Sequence, residues 1–334
     1  MVGIMAARSR EKLAGLIDSA KLAPDITSKL EQLRRAKDEL SQSDPAFLSE
    51  FLPPLLDLHT DRFGPVRKFV IEMVGDIGLK HIEFIPEIVP VLITLLKDGT
   101  PAVARQAIAC GVELFRSTLL KVAIQGLYSS ELDGSLESSW AWVLRFRDQI
   151  YSIAFQPGSD GIRLPAVKFV EVVILLYTPI LVALQSHLFI QPLKFNISWI
   201  RGGHPMLNVG DLSIEASQSL GLLLDELRLP MVNSLSNSMI IVLINGLSAI
   251  AKKRPAFYGR ILPVLLGLDP SSFVNKGFRV SGAHHALKNA FICCLNCTHP
   301  GAAPVWIFPR VYWKRPMFIN MESESSLVYE TSYH

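Results

Sequence analysis

The sequence predicts an all-α protein, a solenoid of stacked antiparallel helix pairs. Three observations predict it. One apolar segment is written three times: P-A-F-L-S-E-F-L-P-P-L-L-D-L (Pro45 to Leu58), I-E-F-I-P-E-I-V-P-V-L-I-T-L (Ile82 to Leu95) and P-A-F-Y-G-R-I-L-P-V-L-L-G-L (Pro255 to Leu268), each with a mid-segment proline (Pro53, Pro90, Pro263). A second signature follows the first two copies: D-R-F-G-P-V-R-K-F-V-I-E-M-V (Asp61 to Val74) and D-G-T-P-A-V-A-R-Q-A-I-A-C-G-V (Asp98 to Val112), with a third relative, D-G-I-R-L-P-A-V-K-F-V-E-V-V-I (Asp160 to Ile174). The two landmarks keep one period. Val66 and Val103 are 37 positions apart, and so are Pro53 and Pro90.

A period near 40 marks a two-helix repeat whose units cannot bury their apolar faces alone. The quoted segment is then the first helix of a repeat and the second signature opens the second helix. This is a HEAT/armadillo-like α-solenoid. Along the chain, Leu13, Leu16 and Ile17 fall at helical spacing, as do Leu30, Leu33 and Leu40. Asp44 is placed to cap the helix that opens at Pro45, since proline suits the first turn. In that helix Phe47, Phe51, Leu55 and Leu58 share a face with Leu48, Leu52 and Leu56 beside them. A proline inside a helix costs roughly 3 kcal/mol, so its recurrence at one register points to a tolerated kink. The third signature comes later than the period predicts, and an insertion near 127–139 accounts for the slip. Helices are expected from Gly161 to Tyr177, from Asp211 to Leu229 with Asp211 as its cap, from Val232 to Lys253, and from Val280 to Cys297. In the last, Ala283, Leu287, Ala290, Phe291 and Cys294 share a face. A second insertion is expected at 178–208, where Pro179 to Leu193 is apolar without clear periodicity. The repeat domain is therefore 1–304. At Val305 aromatics and prolines replace the helical pattern, and 305–334 reads as an irregular or disordered tail.

Bulk composition narrows the function. The chain has 334 residues, 49% of them apolar, and a net charge of +3, too small for nucleic-acid binding across the whole surface. Three of its four cysteines (Cys293, Cys294, Cys297) crowd one segment, which is not a secreted disulfide framework and points to a reduced intracellular compartment. The opening residues carry no apolar run with a cleavage site, so no signal peptide is expected.

Candidate chemistry is sparse. No phosphate-binding glycine loop, nucleophile elbow or H-E-x-x-H occurs, and the chain reads as no enzyme, with no cofactor. Cys293 to His299 with His284 and His285 holds one C-x-x-C, short of the paired half-sites a zinc centre needs, so no metal is expected. Phe169 to Ile190 is long enough to span a bilayer, but Glu171, Gln185 and His187 interrupt it and Pro179 splits it. Lys252-Lys253-Arg254-Pro255 reads as a solvated turn between helices, or else as a nuclear localisation patch. What remains is the surface on which solenoids bind partners. Asp61, Arg67, Asp98 and Arg105 read as structural repeat residues, each arginine pairing with the turn aspartate of its own or the next repeat, and Arg163 reads the same way. Lys168 sits five residues past its arginine and is freer to face outward.

Four stretches resemble one family: D-R-F-G-P-V-R-K-F-V, D-G-I-R-L-P-A-V-K-F-V-E, G-L-S-A-I-A-K-K-R-P-A-F and L-K-N-A-F-I-C-C-L-N-C-T-H-P. They look like the N-terminal HEAT domain of symplekin, in a plant-like form, to about Pro304 apart from the stretch after Pro179. Family members run on through further helical regions, so the tail from Val305 resembles the product of alternative splicing or of a gene-model artefact. The resemblance implies a non-catalytic scaffold of the nuclear machinery that cleaves and polyadenylates pre-mRNA. It implies that this domain docks and stimulates the phosphatase acting on the C-terminal repeats of RNA polymerase II, and contacts other cleavage and polyadenylation subunits. It places the phosphatase-binding surface on the Asp160 to Glu171 segment, with Lys168 foremost and Asp160, Arg163 and Glu171 beside it. The periodicity alone is equally compatible with a generic HEAT-repeat transport or assembly adaptor.

Overall fold

The computed structural model describes residues 2–42, 45–129, 131–180, 195–200, 202–228, 231–268, 274–275, 278–279 and 281–295. Twelve α-helices occur among the described residues, with one two-residue antiparallel β pair, Val274–Asn275 (β1) and Phe278–Arg279 (β2). The fold is an all-α solenoid. The chain forms two compact units, the first of residues 1–177 with 192–215 and the second of 178–191 with 216–334.

The first unit holds four helix pairs: α1 (Val2–Leu22) with α2 (Ile26–Gln42), α3 (Pro45–Leu56) with α4 (Gly64–Lys80), α5 (Ile85–Leu95) with α6 (Pro101–Tyr128), and α7 (Gly134–Phe155) with α8 (Asp160–Leu176). Short turns join the helices, which makes neighbours antiparallel. The second helices pack in sequence, α2 on α4, α4 on α6 and α6 on α8, while α1 lies on α3 and α5 on α7. Two layers therefore share one core. The repeated segment supplies the first helix and the second signature the second helix, as the period predicts.

The core follows the sequence pattern. Val66, Val70, Ile71 and Val74 of α4 and Val103, Ala107, Ile108 and Leu114 of α6 are buried. Each large aliphatic side chain so removed from water stabilises the fold by roughly 1.5–3 kcal/mol. Helices α6 and α7 approach closely at Gly111. A Cβ there would lie 2.0 Å from the Phe146 ring, so only glycine leaves room for it. The mid-helix prolines face outward: Pro53 and Pro263 are exposed and Pro90 is half-buried. Each proline lacks the N–H that its helix would use, and the residues four positions back, Ser49, Pro86 and Gly259, are not buried.

Helix α6 runs 28 residues and α7 runs 22, against 17 for α4 and 11 for α5. Two expectations change, both at helix starts. Helix α9 (Val209–Glu226) is capped by Asn208, not Asp211. The Asn208 Oδ1 accepts from Gly210 N at 2.7 Å and Asp211 N at 3.2 Å, which leaves Asp211 in the first turn. Helix α10 (Asn237–Lys253) starts later than Val232, behind a separate 3₁₀ turn at Met231–Ser234, because Ser236 caps it by accepting from Met239 N.

In the second unit α10 packs on α11 (Tyr258–Gly267) and on α12 (Ser281–Leu295). Ala283, Leu287, Ala290, Phe291 and Cys294 of α12 are all buried, the face the spacing predicts. Asp44, residues 181–194 and 201 of the second expected insertion, and the tail 305–334 lie outside the described residues.

Candidate partner-binding face

Helix α8 carries the residues singled out from sequence. Ser159 is its N-cap in extended conformation, and Asp160 stands in the first turn, where a carboxylate suits the helix dipole. The apolar side of α8 (Ala166, Val167, Phe169, Val170, Val173, Ile174) is buried. That burial fixes what the other side presents. The Lys168 side chain is 48% exposed, and its Nζ donates to the Glu171 carboxylate at 2.9 Å. Glu171 itself is buried. It holds the lysine in place rather than offering surface of its own. Arg163 turns the other way and donates from Nε and Nη2 to the Ala154 carbonyl at 3.3 and 3.2 Å, in the last turn of α7. A cation there meets the negative end of that helix. At 100° per residue, Lys168 and Arg163 lie about 140° apart around α8. The structure thus brings Lys168 and Glu171 together and sets Arg163 on another face.

The turn aspartates and helix cations form a ladder. Asp61 accepts from Phe63 N at 2.9 Å and pairs with Lys29 of α2 at 2.8 Å. One period on, Asp98 accepts from Thr100 N at 2.7 Å and binds Arg67 through both carboxylate oxygens, at 2.7 and 2.8 Å. Arg67 also donates to the Asp61 carbonyl at 2.6 Å, so it ties its own turn to the next. The Arg67 guanidinium holds the Asp98 carboxyl below its ordinary range, against the opposing effect of burial.

Arg105 is not on this ladder. It is exposed, and no partner holds it among the described residues. Counting 37 from Arg67 reaches Ala104, which is fully buried, so Arg105 matches exposed Lys68 instead. One residue of helix turns a side chain by 100°, enough to take it off the rung. The opposite rung position, two residues before the N-cap, is Asp61 and Asp98 for α4 and α6 but Pro157 for α8.

Sequence reasoning missed two rungs of this electrostatic framework. Lys29 escaped because the motif was written for arginine. Arg147 of α7 binds Glu215 of α9 at 2.6 Å, 68 residues away, a distance no local pattern reveals. Burial pushes the Glu215 carboxyl up, and Arg147 opposes that rise. Helix α7 itself was overlooked, although Trp140, Val143, Phe146, Ile150 and Ala154 are buried at helical spacing.

The Lys252–Arg254 run is not a solvated turn throughout. Lys252 and Lys253 are exposed at the end of α10, but Arg254 is buried and donates to the Thr178 carbonyl and hydroxyl at 3.2 and 2.8 Å. Burial lowers its pKa to about 10. Among the described residues no group of three or more His, Cys, Asp or Glu is placed to hold a metal. Cys297 and His299 lie outside them. Among the described residues no helix is long and apolar enough to cross a membrane, and α8 ends at Leu176.

One comparison bears on identity. Residues 100–305, more than half of the chain, match the family described as Symplekin/PTA1 N-terminal. That span contains α6 to α12, including the Asp160 to Glu171 segment and the Leu287 to Pro300 segment. The chain therefore belongs to the Symplekin/PTA1 N-terminal family.

Proposed function

We propose that this chain is a non-catalytic docking platform of the nuclear pre-mRNA 3′-end cleavage and polyadenylation machinery. Its partner is the RNA polymerase II C-terminal-domain serine phosphatase, which binds the outward side of α8 and is stimulated there. The family is one of scaffolds in mRNA 3′-end processing, and scaffolding works through protein–protein contacts. The observation that carries the finer reading is Lys168. It is the exposed cation of α8, its head is anchored by buried Glu171, and it projects from a helix whose other side is locked in the core. An anchored cation loses less freedom on binding than a mobile one. Asp160 stands in the first turn of the same helix, and Arg163 lies about 140° from Lys168 around it.

The test is a titration of the intact chain against the purified phosphatase, with phosphatase activity as a second readout. A Lys168→Ala variant is expected to bind about tenfold more weakly and to stimulate less, with unchanged thermal stability. Equal binding by the variant would remove α8 from the interface. No binding by the wild-type chain would remove the phosphatase as its partner.

A further inference from the structure

The second helices of the first unit carry a row of cations. Arg34 of α2, Lys68 of α4 and Arg105 of α6 are all exposed. Contacts between the helices set their heights. Lys37, less than a turn past Arg34, lies over the Phe69 ring of α4 and pairs with Asp76 at 2.6 Å, which puts Arg34 beside α4 at about the height of Lys68. A Cβ on Gly64, Gly75 or Gly78 of α4 would meet Thr100, Cys110 or Leu114 of the next turn and helix, partners 35 or 36 positions on. Helices α4 and α6 therefore run parallel, and Arg105, 37 positions after Lys68, stands within about 3 Å of its height. The acids near the row are accounted for. Glu31, Asp76, Asp98 and Glu113 pair with Arg35, Lys37, Arg67 and Arg116. Asp38 and Glu72 stand one turn past Arg34 and Lys68, Glu72 at 3.7 Å from the Lys68 Nζ with both side chains wet, and at the same place after Arg105 there is exposed Ala109.

Packed helices lie with their axes about 8–10 Å apart, so the cations of the row repeat at about that spacing. A chain in the polyproline II form turns once in three residues and rises about 3.1 Å per residue, so side chains three apart share a face about 9.3 Å apart. The two periods agree. A β-strand would send side chains three apart to opposite faces, and a short acidic helix would first have to be nucleated. Carboxylates suit the two guanidinium forks and the ammonium between them. Single-stranded nucleic acid is held by stacking as well as by charge, and the exposed ring of α6, Tyr128, stands about 35 Å along the helix from Arg105. We infer that Arg34, Lys68 and Arg105 form a docking row for an extended acidic polypeptide segment that lies across the second helices with a carboxylate at every third residue. A Cβ on Gly161 of α8 would meet Pro101, which sets Lys168 one helix on and nearly a turn past the height of Arg105. The row therefore stands whether or not the phosphatase docks on α8.

The test titrates the intact chain into a fluorescent peptide of proline and alanine with glutamate at every third residue, beside an isomer whose glutamates are grouped together. The spaced peptide is expected to bind saturably, and at least about tenfold more weakly at 300 mM than at 50 mM salt. Arg34→Glu, Lys68→Glu and Arg105→Glu are each expected to weaken it about fivefold without moving the melting temperature, since all three side chains are exposed. Arg145→Glu, at an exposed position of α7 in the other layer, is expected to change nothing. Glu72→Gln removes an acid beside the row and is expected to tighten binding about twofold, a gain that a purely structural role would not give. The inference is overturned if the spaced peptide does not bind at about 1 mM chain, or if the grouped isomer binds as tightly. It is equally overturned if the three row variants bind like the wild type, if Arg145→Glu costs as much as they do, or if a short polyuridine binds more tightly than the peptide.

Discussion

Arg67 does two jobs with one guanidinium. It satisfies the carbonyl of the turn before its own helix, and it neutralises the aspartate of the next turn. The pair is mostly out of water, with side-chain exposures of 14% and 8%. Breaking such a pair costs more than a surface ion pair is worth, because the remaining charge stays behind. Asp98→Asn is expected to lower unfolding stability by about 2 kcal/mol at neutral pH, measured by chemical denaturation. The pH dependence has a definite sign. The folded-state pKa of Asp98 lies below its unfolded value of 3.8, so the contribution is complete above that value and disappears as pH falls through the lower folded one. The difference between wild type and variant is therefore expected to stay constant down to about pH 5 and to shrink below about pH 4. A difference that shrinks near pH 6 instead would mean that another group governs the pair.

At the scale of the element, the mid-helix prolines separate two explanations of a repeated residue. Proline in a helix interior loses a hydrogen bond, and in all three helices the residue four positions back is not buried. If the proline is merely tolerated, Pro263→Ala restores the bond and raises stability by about 1 kcal/mol, net of the added freedom of the unfolded chain. If it shapes α11 to fit α10 and α12, the same change lowers the melting temperature. The outward position favours the first outcome. The helices were the legible part of this molecule, because helical spacing of Phe51, Leu55, Val66 and Val70 is a local property that survives without neighbours. The ladder was half legible. Arg67 and Asp98 stand at repeated positions, but valine-then-arginine was read too loosely at Ala104 and Arg105, where one residue of slip changes the face. Lys168 was found by resemblance to a family, and its anchoring by Glu171 three residues on is what the structure adds.

Across the first unit, two kinds of fastening succeed one another. Ion-paired rungs join α2 to the turn before α4, and α4 to the turn before α6. At the next position both partners are absent, alanine for the cation and proline for the acid, so no charge is left stranded. Aromatic rings take over from there. Phe115 of α6 meets Trp140 of α7 at 5.7 Å and Phe169 of α8 at 5.5 Å edge-on, and Phe146 meets Phe169 at 6.3 Å. These rings make favourable tilted and edge contacts while burying large apolar area.

The change from charged rungs to stacked rings leaves both ends exposed to the same stress, cold. Burial of apolar surface weakens on cooling, because its driving force near room temperature is largely entropic. The ion pairs weaken on cooling as well, since the penalty for stripping water from charges is larger in the cold. Chilling therefore loosens both kinds of fastening. Amide exchange in the cold, corrected for the intrinsic rate, is expected to lose protection in α2 and α4 as well as in α7 and α8, and a loss confined to one end would mean that its fastening alone responds to temperature.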